Sequence, residues 1–296
     1  MADNDKEGVV ASGPEGSGTM GTVPRTWEQV LKLTRFQFRD YLRSRRFLLM
    51  LGIVACLGAI LTAIVGYYRP VALMVDAPTF YSSIWGGGVG IVIVFAGVIF
   101  GGDALAGEFQ NKTGYFLMSL PIRRSAIYVG KYIAALAAAL IAVVFFALIV
   151  IGNGVYYFGA SDISYVFAES FLLAFVYLLA LLGATFLFSS LFKTSTYATL
   201  VVAVLFIFGF TLLQAVIADL VKVEPWFIIS YAQGIVSYPF LSTLPPHVVT
   251  TIIPGRGGGT FTTYNPTYLE GILIMLGYFV ITAVIGLFMF EHEEFT

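Results

Sequence analysis

Six stretches of this chain are each long and apolar enough to cross a lipid bilayer, and no soluble fold could hide them all. They run from Phe47 to Tyr67, about Ser83 to Gly102, about Ala126 to Ile151, about Val166 to Ser190, about Tyr197 to Ile217 and about Tyr268 to Phe290. Crossing about 30 Å of hydrocarbon takes about 20 apolar residues in a helix. Hydrocarbon offers the backbone no hydrogen-bond partners, so each stretch is expected to be helical. Composition agrees: 58% of residues are hydrophobic and only 11% charged, where a soluble domain carries about 25% charged residues. The expected fold class is an all-α membrane protein with six transmembrane helices, multi-pass in the cell (plasma) membrane. The single cysteine, Cys56, lies within the first span, so an intramolecular disulfide and a Cys-based metal site are both excluded. A net charge of -1 gives no reason to expect nucleic acid as a partner.

Lysine and arginine orient the chain, because cytoplasmic loops carry an excess of them. With the N-terminus inside, 13 of the 16 basic residues fall on the cytoplasmic side, leaving Arg69, Lys222 and Arg256 outside. Six spans then place both termini in the cytoplasm. Residues 1–24 are rich in Gly, Ser, Pro and acids without an apolar core segment. They are expected to be a disordered cytoplasmic tail, with no signal peptide. Residues 25–46 form an N-terminal amphipathic helix. Thr26 and Gln29 have capping-box spacing. Lys32, Arg35, Arg39, Arg43 and Arg46 make a basic stripe, and Trp27, Val30, Leu31, Thr34, Phe38, Tyr41 and Leu42 an apolar one. Such a helix lies in the membrane interface; the plainer reading is a cytosolic extension of the first span. The six-span membrane domain occupies 47–290, and 291–296 is a cytoplasmic C-terminus. Within that domain, the segment 218–267 is too rich in proline and glycine for one long helix. It is expected to form short re-entrant or interfacial helices plus irregular loop, an extracellular gate over the outer face.

A charged segment interrupts the apolar pattern between Asp103 and Lys131. Asp103 ends the second span. Leu105, Phe109, Phe116 and Leu120 share one helical side, and Glu108 and Lys112 make a favourable i,i+4 pair. Gly107 and Gly114 weaken the helix, and Pro121 ends it. Arg123 and Arg124 then anchor the third span at the headgroups, with Lys131 snorkelling back to them. The result is a lever over 103–121, lying on the inner surface and fixed at both ends to membrane helices.

Glu108, Thr113, Leu117, Pro121, Arg123 or Arg124, and Gly130-Lys131 follow an order that resembles the first cytoplasmic loop of ABC-2-type permeases. The common pattern has Gly before the Thr. Here Lys112 precedes Thr113 and Gly114 follows, which is similar to the Asn-Lys-Thr variant of the copper-processing and related archaeal and bacterial branch. The layout of an N-terminal amphipathic helix, six spans and a long last outer loop extends the resemblance over nearly all residues after about 25. It implies a second permease chain, identical in a homodimer or different in a heterodimer. It also implies a separate ABC ATP-binding subunit, which would hold ATP and Mg²⁺. The loop helix would dock in a cleft of that subunit, and Glu108 with its neighbours would transmit the power stroke. The N-terminal helix would brace against the same subunit. Paired short helices would lie between the fifth and sixth spans.

Other chemistries fit less well. A Walker A motif is missing, since Gly130-Lys131 lacks both its earlier glycine and its Ser/Thr, so the chain is not expected to hydrolyse ATP or to be an enzyme. Phe100 stands where an intramembrane aspartyl protease would need glycine, and no second aspartate lies within a span. There is no H-E-x-x-H and no G-x-S-x-G, and His247 and His292 are far apart; no metal site and no cofactor in this chain are expected. An ion-coupled secondary transporter would need ionisable groups at membrane depth, and no internal repeat supports an inverted-repeat transporter. A non-transporting scaffold or accessory subunit is the other alternative. Asn153 and Gln214 are uncharged polar groups at depth or near a span end, suited to helix–helix hydrogen bonds or to a substrate pathway. The glycines of the second span suit close helix packing or a substrate-facing groove. Aromatics on spans three to five would suit a lipid-like, amphipathic or drug-like cargo moved outward.

Overall fold

The computed structural model describes residues 26–69, 75–110, 122–159, 165–252 and 260–292. The tail to residue 25, the centre of the lever with Lys112, Thr113, Leu117 and Pro121, and residues 293–296 lie outside these. Helix α1 is Thr26–Arg43. Six helices among the described residues are long and apolar enough to cross a membrane: α2 Arg45–Tyr68, α3 Ala77–Glu108, α4 Arg124–Phe158, α5 Tyr165–Leu191, α6 Ser195–Val221 and, last in the chain, α8 Tyr268–His292. Between α6 and α8 come α7, an α turn Ile229–Ala232 continued as 3₁₀ turns over Gln233–Phe240, and a hairpin of β1 Val248–Ile252 and β2 Thr260–Tyr264.

The hairpin corrects the all-helical expectation. Its strands are antiparallel, with Thr250 opposite Thr262. The residues responsible, Val248, Val249, Thr250 and Thr251 facing Thr262, Thr263 and Tyr264, are β-branched or aromatic. They fit a pleated surface better than a helix, a signal outweighed in the sequence by the prolines and glycines around it. The Asp219 carboxylate at the end of α6 accepts the Thr262 N–H at 3.1 Å, fastening the hairpin to the bundle.

Helices α3, α4 and α5 form the centre and the others surround it. In the most apolar window of α3, 72% of residues are buried, against 22% in α2, 11% in α6 and 17% in α8. Helices α2, α6 and α8 therefore present most of their apolar surface outward, as membrane-facing helices do. Trp85 of α3 packs between Phe146 of α4 and Phe167 and Phe171 of α5. Its indole N–H donates to Ser170 Oγ at 2.9 Å, and Ser170 in turn donates to the Val236 carbonyl of α7. A buried polar group must find such a partner, so this chain of bonds fixes α7 inside the bundle rather than at its rim.

Glycine lets α3 run against its neighbours at backbone distance. A Cβ at Gly101 would collide with Thr185 of α5, and one at Gly97 with Leu181 of the same helix. Helix α3 itself carries π turns at Ser82–Gly86 and Gly97–Gly101. Gly87 instead faces open space. Gly101→Ala is therefore expected to cost about 1–3 kcal/mol through overpacking, while Gly87→Ala costs far less. Thermal unfolding of the two variants in detergent checks this, and equal stabilities would refute the close-packing account.

Helix α1 departs from the expectation of an apolar stripe turned to lipid. Val30 and Tyr41 are buried, Thr34 is half-buried, and Trp27 and Leu31 are exposed. The buried face lies along α4. Gly130 makes this possible: a Cβ there would lie 3.0 Å from Leu33 Cβ and 3.4 Å from the Val30 carbonyl oxygen. Thr34 Oγ1 also donates to the Gly130 carbonyl, at 3.3 Å. The Gln29 side-chain oxygen accepts the Arg123 N–H at 3.3 Å, a tertiary bond that ties the start of α1 to the start of α4. The basic residues Lys32, Arg35, Arg39 and Arg43 are exposed along the rest of the helix. Ser44 ends the run: its backbone is extended, and its Oγ caps α2 by accepting the Phe47 N–H.

Candidate functional site

At the end of the bundle where α1 lies, side chains from α2, α4, α5 and α6 converge on the last turns of α3. Asp103 is buried. Its Oδ2 accepts from the Arg46 guanidinium of α2 and, at 3.0 Å, from the Ser195 hydroxyl of α6. Lys131 of α4 is buried too. Its ammonium donates to the Ala104 carbonyl at 2.9 Å and to Glu108 Oε1 at 2.5 Å. Ser189 of α5 accepts the N–H groups of Leu105 and Ala106 at 3.1 and 3.2 Å. Gln110 Oε1 accepts the Ser195 N–H at 2.8 Å.

These bonds answer a backbone problem. The chain leaves regular helix at Gly102 and resumes it at Ala106, which frees N–H and C=O groups in a buried place. Such groups cost about 1–3 kcal/mol each if left unpaired. Ser189 and Lys131 take them up, so α4 and α5 hold residues 103–108 in one geometry.

The two ion pairs differ in setting. Side-chain exposure is 10% for Lys131 and 17% for Glu108, whereas Arg46 is 55% exposed beside an Asp103 that is 9% exposed. Water therefore screens Arg46 more than Lys131. A polar cavity of about 300 Å³ opens between them, lined by Gln37, Asp40, Tyr41 and the charged residues of both pairs. The Tyr41 hydroxyl donates to the Phe100 carbonyl at 3.2 Å. Burial, then the Asp103 carboxylate, pushes its pKa well above the ordinary tyrosine range, so it remains a proton-bearing donor. Helix α4 reaches one more span: Arg124 donates to the Glu291 carbonyl of α8 at 2.7 Å.

The structure thus brings Asp103, Glu108, Arg46 and Lys131 of the expected residues together. Lys131 is a correction: it does not snorkel outward but turns inward to Glu108. The reason is an acceptor pair within hydrogen-bond reach, the Ala104 carbonyl and the Glu108 carboxylate. Arg46 likewise serves an ion pair rather than acting as a simple surface anchor. Arg123 is exposed at the start of α4, and Arg124 is partly buried. The i,i+4 pairing of Glu108 with Lys112 falls outside the described residues. Ser189 and Ser195 were missed; serines within or at the edge of apolar runs carry no distinguishing signal. Asn153 and Gln214 both bridge helices. Asn153 Nδ2 donates to Thr62 Oγ1 of α2 and to its own helix at Ile149, each at 2.9 Å. Gln214 Oε1 accepts from Ser230 of α7 at 2.7 Å.

A second, more apolar recess of about 160 Å³ opens between α3, α5, α6 and α7, with Gly87, Gly90, Phe206, Phe210 and Gln233 on its walls. Among proteins of known family, residues 31–295 match the family described as ABC-2 family transporter protein. No curated protein matches the chain.

Proposed function

The chain belongs to the ABC-2 transporter family, and from that premise we propose that it is the membrane permease of an ATP-driven exporter, powered by a separate ABC ATP-binding subunit. It is a multi-pass membrane protein, and the end bearing α1 and the lever faces the cytoplasm, where the positive-inside rule puts its basic residues. ATP and Mg²⁺ belong to the partner, and this chain contributes no catalytic group. Two permease chains, identical or different, would enclose the path.

One observation carries the reading: the root of the lever is bonded to α2, α4, α5 and α6 together through Arg46, Lys131, Ser189 and Ser195. A push on the segment that follows Glu108 therefore reaches several spans as one body. Packed elements joined in this way move rigidly between discrete arrangements rather than deforming gradually. The exposed basic face of α1 would brace against the ATPase. The apolar recess beside α6 suits an apolar or amphipathic cargo drawn from the bilayer, with α7 and the hairpin closing the far end.

The test is purification of the tagged chain from its native membrane. A Walker-motif ATPase is expected to copurify, and the reconstituted pair to couple ATP hydrolysis to transport. A chain that purifies alone and moves its cargo on an ion gradient would show a secondary transporter. One that copurifies with an ATPase but moves nothing would show an accessory subunit.

A further inference from the structure

At the end of the bundle away from the lever, three ligand-bearing side chains from three separate segments meet. Glu224 follows α6, His247 precedes β1, and Glu270 lies in the first turn of α8. One ligand atom from each lies within 4.8 Å of the other two. We propose that Glu224, His247 and Glu270 form a binding site for a divalent metal ion of the zinc class.

The imidazole geometry is the first argument. His247 Nδ1 lies 2.8 Å from the Asn265 carbonyl, an acceptor, so that nitrogen carries the proton. Nε2 lies 3.2 Å from Glu224 Oε2, another acceptor. A cation or a second proton must sit between Nε2 and the carboxylate. Tetrahedral zinc, with ligands at about 2.0–2.1 Å, holds its donor atoms about 3.3 Å apart, close to the 3.2 Å between Nε2 and Glu224 Oε2, with the Glu270 oxygen within 4.8 Å of both.

The second argument is the shell behind the ligands. Metal-binding histidines and carboxylates are oriented by hydrogen bonds on their far side. His247 has the Asn265 carbonyl, and Asn265 is itself locked by its N–H to the His247 carbonyl at 2.8 Å and its side-chain amide to the Pro246 carbonyl at 2.9 Å. Glu224 Oε1 accepts from the Tyr231 hydroxyl at 2.5 Å. Glu270 Oε2 accepts the Thr267 N–H at 3.2 Å. Each ligand is aimed by a group outside the trio.

The donor set selects the metal class. Calcium and magnesium prefer oxygen alone, whereas imidazole with carboxylates suits zinc and its neighbours. Three protein ligands leave a fourth position for water. A bound ion would pin the base of the hairpin to the chain leaving α6 and to the start of α8, joining the cap to two outer spans.

The experiment uses the full chain in detergent, tag removed and stripped with EDTA, titrated calorimetrically with zinc chloride. One zinc per chain is expected. His247→Ala should weaken binding about 100-fold and Tyr231→Phe about tenfold, while His292→Ala, at the other end of α8, leaves it unchanged. With zinc about 100-fold above its Kd, the melting temperature should rise by about 5–10 °C. X-ray absorption of the wild-type zinc complex, which needs no variant, should show one imidazole among oxygen ligands. The rival, an imidazolium–carboxylate ion pair without metal, predicts no saturable zinc binding. That result, full affinity in His247→Ala, or an absorption spectrum without imidazole overturns the proposal.

Discussion

Lys131→Met is expected to destabilise the protein by about 3 kcal/mol, the low end of the range for removing one partner of a buried ion pair. The substitution keeps the length and apolar volume of the side chain, so little packing is lost. What remains is Glu108, 17% exposed, without its ammonium, and an Ala104 carbonyl without its donor. For a chain of this size the loss corresponds to a fall of about 6–12 °C in melting temperature. Pairing it with Glu108→Gln should recover most of the loss, because the charge that lost its ammonium is gone; buried pairs are costly to break but nearly neutral to replace whole. A double-mutant cycle in detergent reads this out. Additive single effects, or a Lys131→Met variant as stable as wild type, would mean that water reaches the pair and that it does not brace the lever.

Asp103→Ala should act on coupling more than on stability. Its partner Arg46 is half exposed and can turn to solvent, so the folding cost stays modest. The junction between α2, α3 and α6 is nonetheless lost, since Asp103 is where Arg46 and Ser195 meet. If the lever moves these spans as one body, cargo moved per ATP hydrolysed should fall about tenfold, within the usual range of coupling free energies, while the complex still assembles. Asp103→Asn keeps an acceptor for Ser195 and should fall between. Reconstituted vesicles, with hydrolysis and transport measured together, provide the check. An unchanged ratio in Asp103→Ala would remove this junction from the transmission path.

Much of the architecture is legible in the sequence. The six spans lie where the apolar runs put them, because the length of such a run is set by bilayer thickness. The first break was legible only as approximate: α1 ends at Arg43 and Ser44 caps the next helix, whereas basic residues continuing to Arg46 suggested one unbroken stripe. The glycines of α3 were readable as packing positions, but not which helix each would meet. The hairpin was hidden by its own surroundings, where proline and glycine argue for loop more strongly than a few threonines argue for strand.

Charged residues were the hardest to read. Asp103 and Glu108 were identified as important from their position between two spans. Their partners were not, since Arg46 lies 57 residues from Asp103 and Lys131 lies 23 from Glu108. His247 and its two carboxylates carry no motif spacing at all. By itself, then, the sequence determined the membrane setting, the number of spans and the place where a charged segment interrupts them, because hydrophobicity and helix breaking are properties of local segments. Only the tertiary structure decided whether a lysine snorkels or pairs, which serine satisfies a broken backbone and which three segments share a ligand cluster. Those choices turn on the nearest acceptor in space, which helix packing sets.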